Sequence, residues 1–359
     1  MDRRAFIQSL PGLGVTAALP AIAFAEGTRP SAVVEAAAPP VKSKSLFEPR
    51  IGVIAIGGAG GTILSELYGK LPYLSHSTAI DIDSGALQRV VANRRILIGD
   101  AMARPGDART TSKLASEARA QIADAVADLD IAFIVAGMGG IAGTTISSIV
   151  AEVLRKNQVI TIAAAFTPVN SEGPHRHHIA VAGLHALGEF ANATFDISND
   201  VLCWHACRRD LPLWSSPATT TFERLYRGIA EPIASTEYLV GFNGQSLREC
   251  IAKEGSAAIG YGRASGRNAG AVAARKAIGH PLLGEDQLNS ASGVWVLVEG
   301  VPEFLRLRQL SEISHLIREF LNVSTAVADP VYFCGAVRNK AMEDDFRVTI
   351  LASGIPKEY

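Results

Sequence analysis

From residue 51 onward, short and almost wholly apolar runs recur: Ile51-Gly-Val-Ile-Ala-Ile56, Thr78-Ala-Ile-Asp-Ile82, Ile131-Ala-Phe-Ile-Val-Ala136 and Val159-Ile-Thr-Ile-Ala-Ala-Ala165. Runs of this length and composition predict parallel strands buried on both faces. Amphipathic stretches lie between them, and Ile146, Ile149, Val150, Val153 and Leu154 make one apolar stripe at helical spacing. The alternation predicts a Rossmann-like, doubly wound α/β half, with ligands at the carboxyl ends of its strands.

A chain of 359 residues that is 48% hydrophobic has room for two domains and real cores. Its net charge of −1, without a Lys/Arg stripe carrying interleaved aromatics, argues against a nucleic-acid partner. Four cysteines, Cys203, Cys207, Cys250 and Cys334, are too few for a disulfide framework and predict reduced thiols. Cys203 and Cys207, with His175, His177 and His178 upstream, invite a metal reading. An i, i+4 pair of cysteines is not a zinc-knuckle spacing, so buried thiols on a helix face are expected and no metal.

The first 25 residues change the picture of location. Asp2-Arg3-Arg4-Ala5-Phe6-Ile7-Gln8, the apolar run from Leu10 to Phe24 and the ending Ala23-Phe-Ala25 match a twin-arginine export signal. The run is too short to span a bilayer securely, and a basic apolar tail touching a membrane surface is the other reading. Residues 26–45, rich in Ala, Pro, Ser and Val, read as a flexible tether.

Two loops carry the candidate chemistry. After the first strand comes Gly57-Gly58-Ala59-Gly60-Gly61-Thr62, opening a helix. A dinucleotide fingerprint would need glycine where Ile63 stands, although Asp81 or Asp83 occupies the place of a ribose-binding acid. No G-x-x-x-x-G-K-[ST] occurs, which excludes a P-loop. The run Gly137-Met-Gly139-Gly140-Ile141-Ala142-Gly143-Thr144-Thr145 follows a second strand. Two such loops on neighbouring strands can grip one polyphosphate from both sides through backbone amides.

With these loops the chain resembles the tubulin/FtsZ superfamily, nearer FtsZ. The matching segments run in family order, among them Ala136-Gly-Met-Gly-Gly140, Pro168-Val-Asn-Ser-Glu-Gly173, Ser198-Asn-Asp200, Arg227-Gly-Ile-Ala-Glu231, Ala277-Ile-Gly-His-Pro-Leu-Leu283 and Phe346-Arg-Val-Thr-Ile-Leu-Ala-Ser-Gly354. They cover nearly everything after the tether. The resemblance implies a nucleotide-binding domain over 46–215, a central helix over 216–235 and a smaller α+β domain over 236–359. Ser216-Pro217 suits the start of that helix, the stripe Phe222, Leu225, Ile229, Ile233 its buried face, and Pro232 its end or a bend. Val294-Trp-Val-Leu-Val298, Pro330-Val-Tyr-Phe-Cys334 and residues 346–352 are strand candidates of the last domain.

The resemblance implies GTP, with Mg2+ accompanying it, on Gly57, Gly58, Ala59, Gly60, Gly61, Thr62, Gly139, Gly140, Ile141, Ala142, Gly143 and Thr144, with Glu172 and Arg176 on the ribose side and Asn199 and Thr220 nearby. Thr62 and Thr220 stand where the family carries Asn and Asp for the guanine. A hydroxyl makes one weak contact where a carboxylate accepts two, so selectivity for the base stays open. In the loop after the central helix the family's Asn, Asp and Asp are replaced by Gly241, Asn243 and Ser246. Without a carboxylate the attacking water lacks its base, and hydrolysis is expected to be weak or absent.

The implied assembly is a homo-oligomer with head-to-tail contacts, a scaffold held at a membrane by residues 1–25 on the cytoplasmic side, with twin-arginine export as the alternative. The chain stops at Tyr359, so no FtsZ-type C-terminal partner tail is expected. Two rival functions remain open: an active GTPase using Glu249 or Glu254 as substitute carboxylate, and a dinucleotide-dependent oxidoreductase.

Overall fold

Apolar β-branched runs become the strands at the centre of the molecule. The computed structural model describes residues 49–99, 108–208, 216–235, 238–240, 242–251, 255–266, 268–301, 305–321, 330–339, 342 and 345–356. The expected N-terminal segments 1–25 and 26–45, and also Gly241 and Glu254, lie outside the described residues.

The strands are β1 Ile51–Ile56, β2 Leu74–Asp81, β3 Arg94–Leu97, β4 Ile131–Gly137, β5 Ile160–Thr167 and β6 Ala193–Ser198, then β7 Tyr238–Val240, β8 Ser256–Ser265, β9 Gly293–Gly300, β10 Val331–Arg338 and β11 Asp345–Ile355. They share one sheet in the order β3-β2-β1-β4-β5-β6-β8-β11-β9-β10-β7. The first six are mutually parallel. Their order is the doubly wound one, with the switch point between β1 and β4. The remaining strands are mixed, β11 running antiparallel to both β8 and β9. Among the described residues, the pairs Thr194↔Ser256 and Phe195↔Ala257 join the two halves of the sheet.

Both faces of the parallel half are covered, as its continuous apolar strands require. Val53 and Ala55 of β1 share a core with Phe222, Leu225, Tyr226 and Ile229. Their neighbours Ile54 and Ile56 pack on the opposite face with Ile146, Val150 and Leu154. Those last three lie on the helix Ile141–Lys156, whose buried positions are the stripe read from the sequence.

The central helix runs from Pro217 to Ala234, and Ser216 caps it by accepting the Thr219 N–H at 3.2 Å. Pro232 lies inside the last turn, and the helix ends two residues after it. Lacking an N–H, the proline leaves the Gly228 carbonyl without its helical donor. The buried Trp295 indole supplies one, Nε1 to Gly228 O at 2.9 Å. Trp295→Phe keeps an aromatic ring but removes that donor and part of the buried indole, so urea unfolding should register a loss of at least about 1–3 kcal/mol.

Four strands were not predicted as such, one of them the three-residue β7. β3 opens with two arginines, β6 carries Asp196, and β8 contains Gly260 and Gly262. The β8 glycines lower strand propensity but admit the helix Ala269–Ile278 at close range. A Cβ on Gly260 or Gly262 would lie 2.1 Å from the carbonyl oxygen of Ala277 or Ala273, respectively.

Candidate functional site

The switch point brings the two glycine loops together. β1 ends at Ile56 and the helix Gly57–Leu67 starts at the next residue, a reversal that places Gly57 at φ +71. β4 ends at Gly137, and the helix Ile141–Lys156 starts after Gly139, at φ +83, and Gly140. The loops touch: a Cβ on Gly57 would lie 3.2 Å from the Gly143 nitrogen. Neither helix N-terminus receives a side-chain cap, and neither has an acidic residue in its first turn. Two sets of first-turn amides, unopposed by carboxylates, therefore converge on one place, the arrangement an anionic group requires.

The glycines divide into two kinds. A Cβ on Gly60 would meet the Val135 carbonyl oxygen at 2.3 Å, one on Gly143 the Gly137 carbonyl oxygen at 2.1 Å, and one on Gly61 the Val90 side chain at 2.6 Å. Gly60 and Gly143 let their helices pack on β4, and Gly61 makes room for Val90 at the end of the helix Ser84–Arg89. Gly58 and Gly140 have nothing within 4 Å of the Cβ position and keep the outer side of the loops open. Ala59 is exposed, and Ile141 and Ala142 are half-buried.

Hydroxyls hold the loops in shape. Thr144 Oγ1 accepts the Gly139 N–H at 2.9 Å, closing the second loop. Thr62 Oγ1 donates to the Gly58 carbonyl at 3.0 Å. Thr144→Val should loosen the second loop by about one hydrogen bond, roughly 1 kcal/mol, and weaken ligand affinity about fivefold in a titration.

Glu172 and Arg176 come together as an ion pair at 2.5 Å. Glu172 Oε1 also accepts the Val169 N–H at 3.0 Å, which leaves further lone pairs on this half-buried carboxylate for sugar hydroxyls. The pair abuts the second loop, since a Cβ on Gly139 would lie 2.8 Å from the Arg176 carbonyl oxygen. Asn199 starts the next helix, and its neighbour Asp200 accepts the Asn170 N–H, tying the loop after β5 to the loop after β6. That structural role of Asp200 was not foreseen. Nearby, Thr167 Oγ1 donates to Asp196 at 3.2 Å, and burial raises the Asp196 pKa.

Thr220 lies exposed on the first turn of the central helix. Its neighbour Thr219 donates to Glu66 at 2.5 Å, one turn beyond Thr62, so the two helices that carry Thr62 and Thr220 are tied to each other. Asp81 and Asp83, the acids a dinucleotide would need, are engaged elsewhere. Asp81 is buried and accepts the N–H groups of Ile82 and Asp83; Asp83 caps the helix Ser84–Arg89. Burial raises the Asp81 pKa.

The loop after the central helix lies at the other end of that helix, about 27 Å away for its 18 residues. Phe242 N–H donates to Pro232 O at 3.2 Å, and the Phe242 ring packs on Trp295 and Phe333. Asn243 then caps the helix Gly244–Cys250, accepting the Ser246 N–H at 2.9 Å and its hydroxyl at 3.2 Å. Asn243 and Ser246 thus face each other, remote from the glycine loops of their own chain.

The expectation of buried thiols at Cys203 and Cys207 is corrected: both are exposed. They occupy an outer face of the helix Asn199–Arg208, where neither core cluster reaches. Cys250 is buried and its thiol is pushed up to about 12 by desolvation.

Comparison with known proteins agrees with this geometry. Residues 50–205 match the model of the Tubulin/FtsZ family, GTPase domain, and residues 255–356 that of the FtsZ family, C-terminal domain. The chain is 30% identical over 309 residues to cell division protein FtsZ 1 of Archaeoglobus fulgidus, covering 85% of this chain and 82% of that protein. Among solved structures it is similar to an empty FtsZ dimer of M. jannaschii, with TM-score 0.74, 26% identity and coverage of 86% and 89% of the two chains. A GTPγS-bound protofilament of CetZ2 from Haloferax volcanii shares the fold at TM-score 0.68 and 17% identity, over 86% and 94% of the two chains.

Proposed function

The chain belongs to the tubulin/FtsZ family, and on that premise we propose that it binds GTP across the β1/β4 switch point and self-associates head to tail with weak or absent hydrolysis. The observation that carries the reading is the contact between Gly57 and Gly143 beneath two uncapped helix N-termini. Phosphates lie on the amides of 57–61 and 139–144, Glu172 and Arg176 hold the sugar side, and Asn199, Thr62 and Thr220 line the base side. The loops contain no carboxylate, so Mg2+ here is held through phosphate oxygens and water. Nucleotide binding and head-to-tail assembly are consistent with relatives described as a GTPγS-bound protofilament and as a dimer. The domain limits proposed are 46–215, 216–235 and 236–359.

Residues 1–25 target the body to a membrane from the cytoplasmic side, where it acts as a scaffold in the manner of a cell-division protein. Fractionation of a C-terminally tagged chain tests this: a processed, exported product that is lost on Arg3→Lys/Arg4→Lys establishes export instead. Filter binding of labelled GTP, ATP and NAD to the full-length chain tests the ligand. GTP retained without turnover supports the proposal, and no retention at millimolar nucleotide overturns it.

One observation favours an active enzyme as second reading. Glu249 is exposed on the helix that Asn243 caps and accepts from Gln245 Nε2 at 3.0 Å, one turn beyond the missing carboxylates. Measurable turnover abolished by Glu249→Gln would select that reading.

A further inference from the structure

We propose that the cleft between the central helix, β8, the helix Ala269–Ile278 and β11 is a second site, which binds a phosphate-bearing small anion. The cleft encloses about 640 Å³. That is larger than a bare phosphate needs and typical of a small-molecule pocket. Four cations line it, Arg224, Arg263, Lys276 and Arg347, against one carboxylate, Asp345.

Three of the cations are engaged. Arg263 pairs with Asp345, Lys276 Nζ donates to the Arg263 carbonyl at 3.0 Å, and Arg347 pairs with the buried Glu299 at 2.9 Å. Arg347 Nε is nonetheless buried without a partner. Arg224 makes no ion pair among the described residues; Arg347 repels it, and the more weakly felt carboxylates Glu299 and Glu223 offset part of that field. Burial first, and Arg347 second, hold its pKa below the arginine value.

An arginine cannot relieve such a position by losing its proton at neutral pH. A half-buried guanidinium with a like-charged neighbour is less favourable than a solvated one and gains when an anion bridges the two. Planar guanidinium forks match phosphate oxygens bidentately, which a point charge does not. Thr220 forms one wall of the cleft, so the site adjoins the glycine-loop site without using any glycine of it.

Calorimetry on the full-length chain tests the proposal, with inorganic tripolyphosphate as phosphate probe and tricarballylate as carboxylate probe. With GTP saturating, one equivalent of tripolyphosphate should still bind, at least about tenfold tighter than tricarballylate and weakening with salt. Arg224→Gln should reduce that affinity at least about tenfold and, by removing the repulsion, raise the anion-free Tm. The same titration without GTP keeps this result separate from the nucleotide reading, because Arg224→Gln removes the cleft equivalent whether or not the glycine loops bind.

No heat at about 10 mM probe overturns the proposal. So does undiminished binding to Arg224→Gln, displacement of the cleft equivalent by GTP, or a lower anion-free Tm for Arg224→Gln, which marks a structural arginine. Equal binding of both probes overturns the assignment to phosphate.

Discussion

Gly58→Val should abolish nucleotide binding while leaving the fold intact, and Gly60→Ala, two residues on in the same loop, should destabilise the fold. A valine at 58 projects where nothing lies within 4 Å of the Cβ position, into the space a phosphate needs in order to reach the loop amides. Its backbone is helical and φ is not positive, so the substitution is tolerated conformationally. A methyl at 60 instead meets the Val135 carbonyl oxygen at 2.3 Å and the backbone carbons of Val135 and Ala55 at 3.2 and 3.3 Å. None of those atoms belongs to a flexible side chain, and overpacking against strand backbone costs about 3 kcal/mol or more. Expected in thermal denaturation is a Tm within about 2 °C of wild type for Gly58→Val and a fall of roughly 6–12 °C for Gly60→Ala. In filter binding, Gly58→Val should lose at least about a hundredfold in GTP affinity. Gly140→Val, at a second open position, should behave like Gly58→Val. If Gly58→Val and Gly140→Val both bind as well as wild type, the phosphates do not lie on these loops.

The difference between these neighbouring glycines was invisible in the sequence. Gly57-Gly58-Ala59-Gly60-Gly61 reads as a single loop, and only the placement of β4 beneath it separates the packing glycines from the open ones. Four strands of the parallel half were legible because they carry continuous apolar runs, as in β4 beside the complete stripe of the helix Ile141–Lys156, whereas the part-exposed β3 and β6 were not. β8 was hidden because Gly260 and Gly262 serve the approach of a helix that lies later in the chain. Pro232 shows what sequence leaves out in another way: the helix ends within its turn, but that the remote indole of Trp295 serves the carbonyl proline leaves could not be read locally. Cys203 and Cys207 were misread because i, i+4 spacing shows that they share a helix face without saying which way it points. Arg224 gave no signal of its own, since its significance comes from Arg347 on a distant strand.

Asn243→Asp/Ser246→Asp should raise GTP turnover by about 10²–10⁴-fold, the range of general-base assistance, and only at concentrations where chains meet. The wild-type pair offers an amide and a hydroxyl that bond to each other as a helix cap. Neither accepts a proton from water at neutral pH. Both replacements suit their positions: aspartate caps a helix as well as asparagine, and an acid three residues on is favoured by the helix dipole. Phe242, fixed by Trp295, Phe333 and the Pro232 carbonyl, holds the loop in place independently of either side chain. The new carboxylates therefore project from the end of the central helix opposite the glycine loops, about 27 Å from Ser216. They cannot reach the nucleotide of their own chain, and any gain in rate must come from a neighbour stacked head to tail. Turnover of the double variant should rise faster than linearly with protein concentration, and wild type should stay slow throughout. A rate gain linear in protein would place the carboxylates beside their own nucleotide and contradict the fold. No gain in a variant that sediments as filaments would mean that hydrolysis is limited by something other than the missing base, and fast turnover by wild type would mean that the base was never missing.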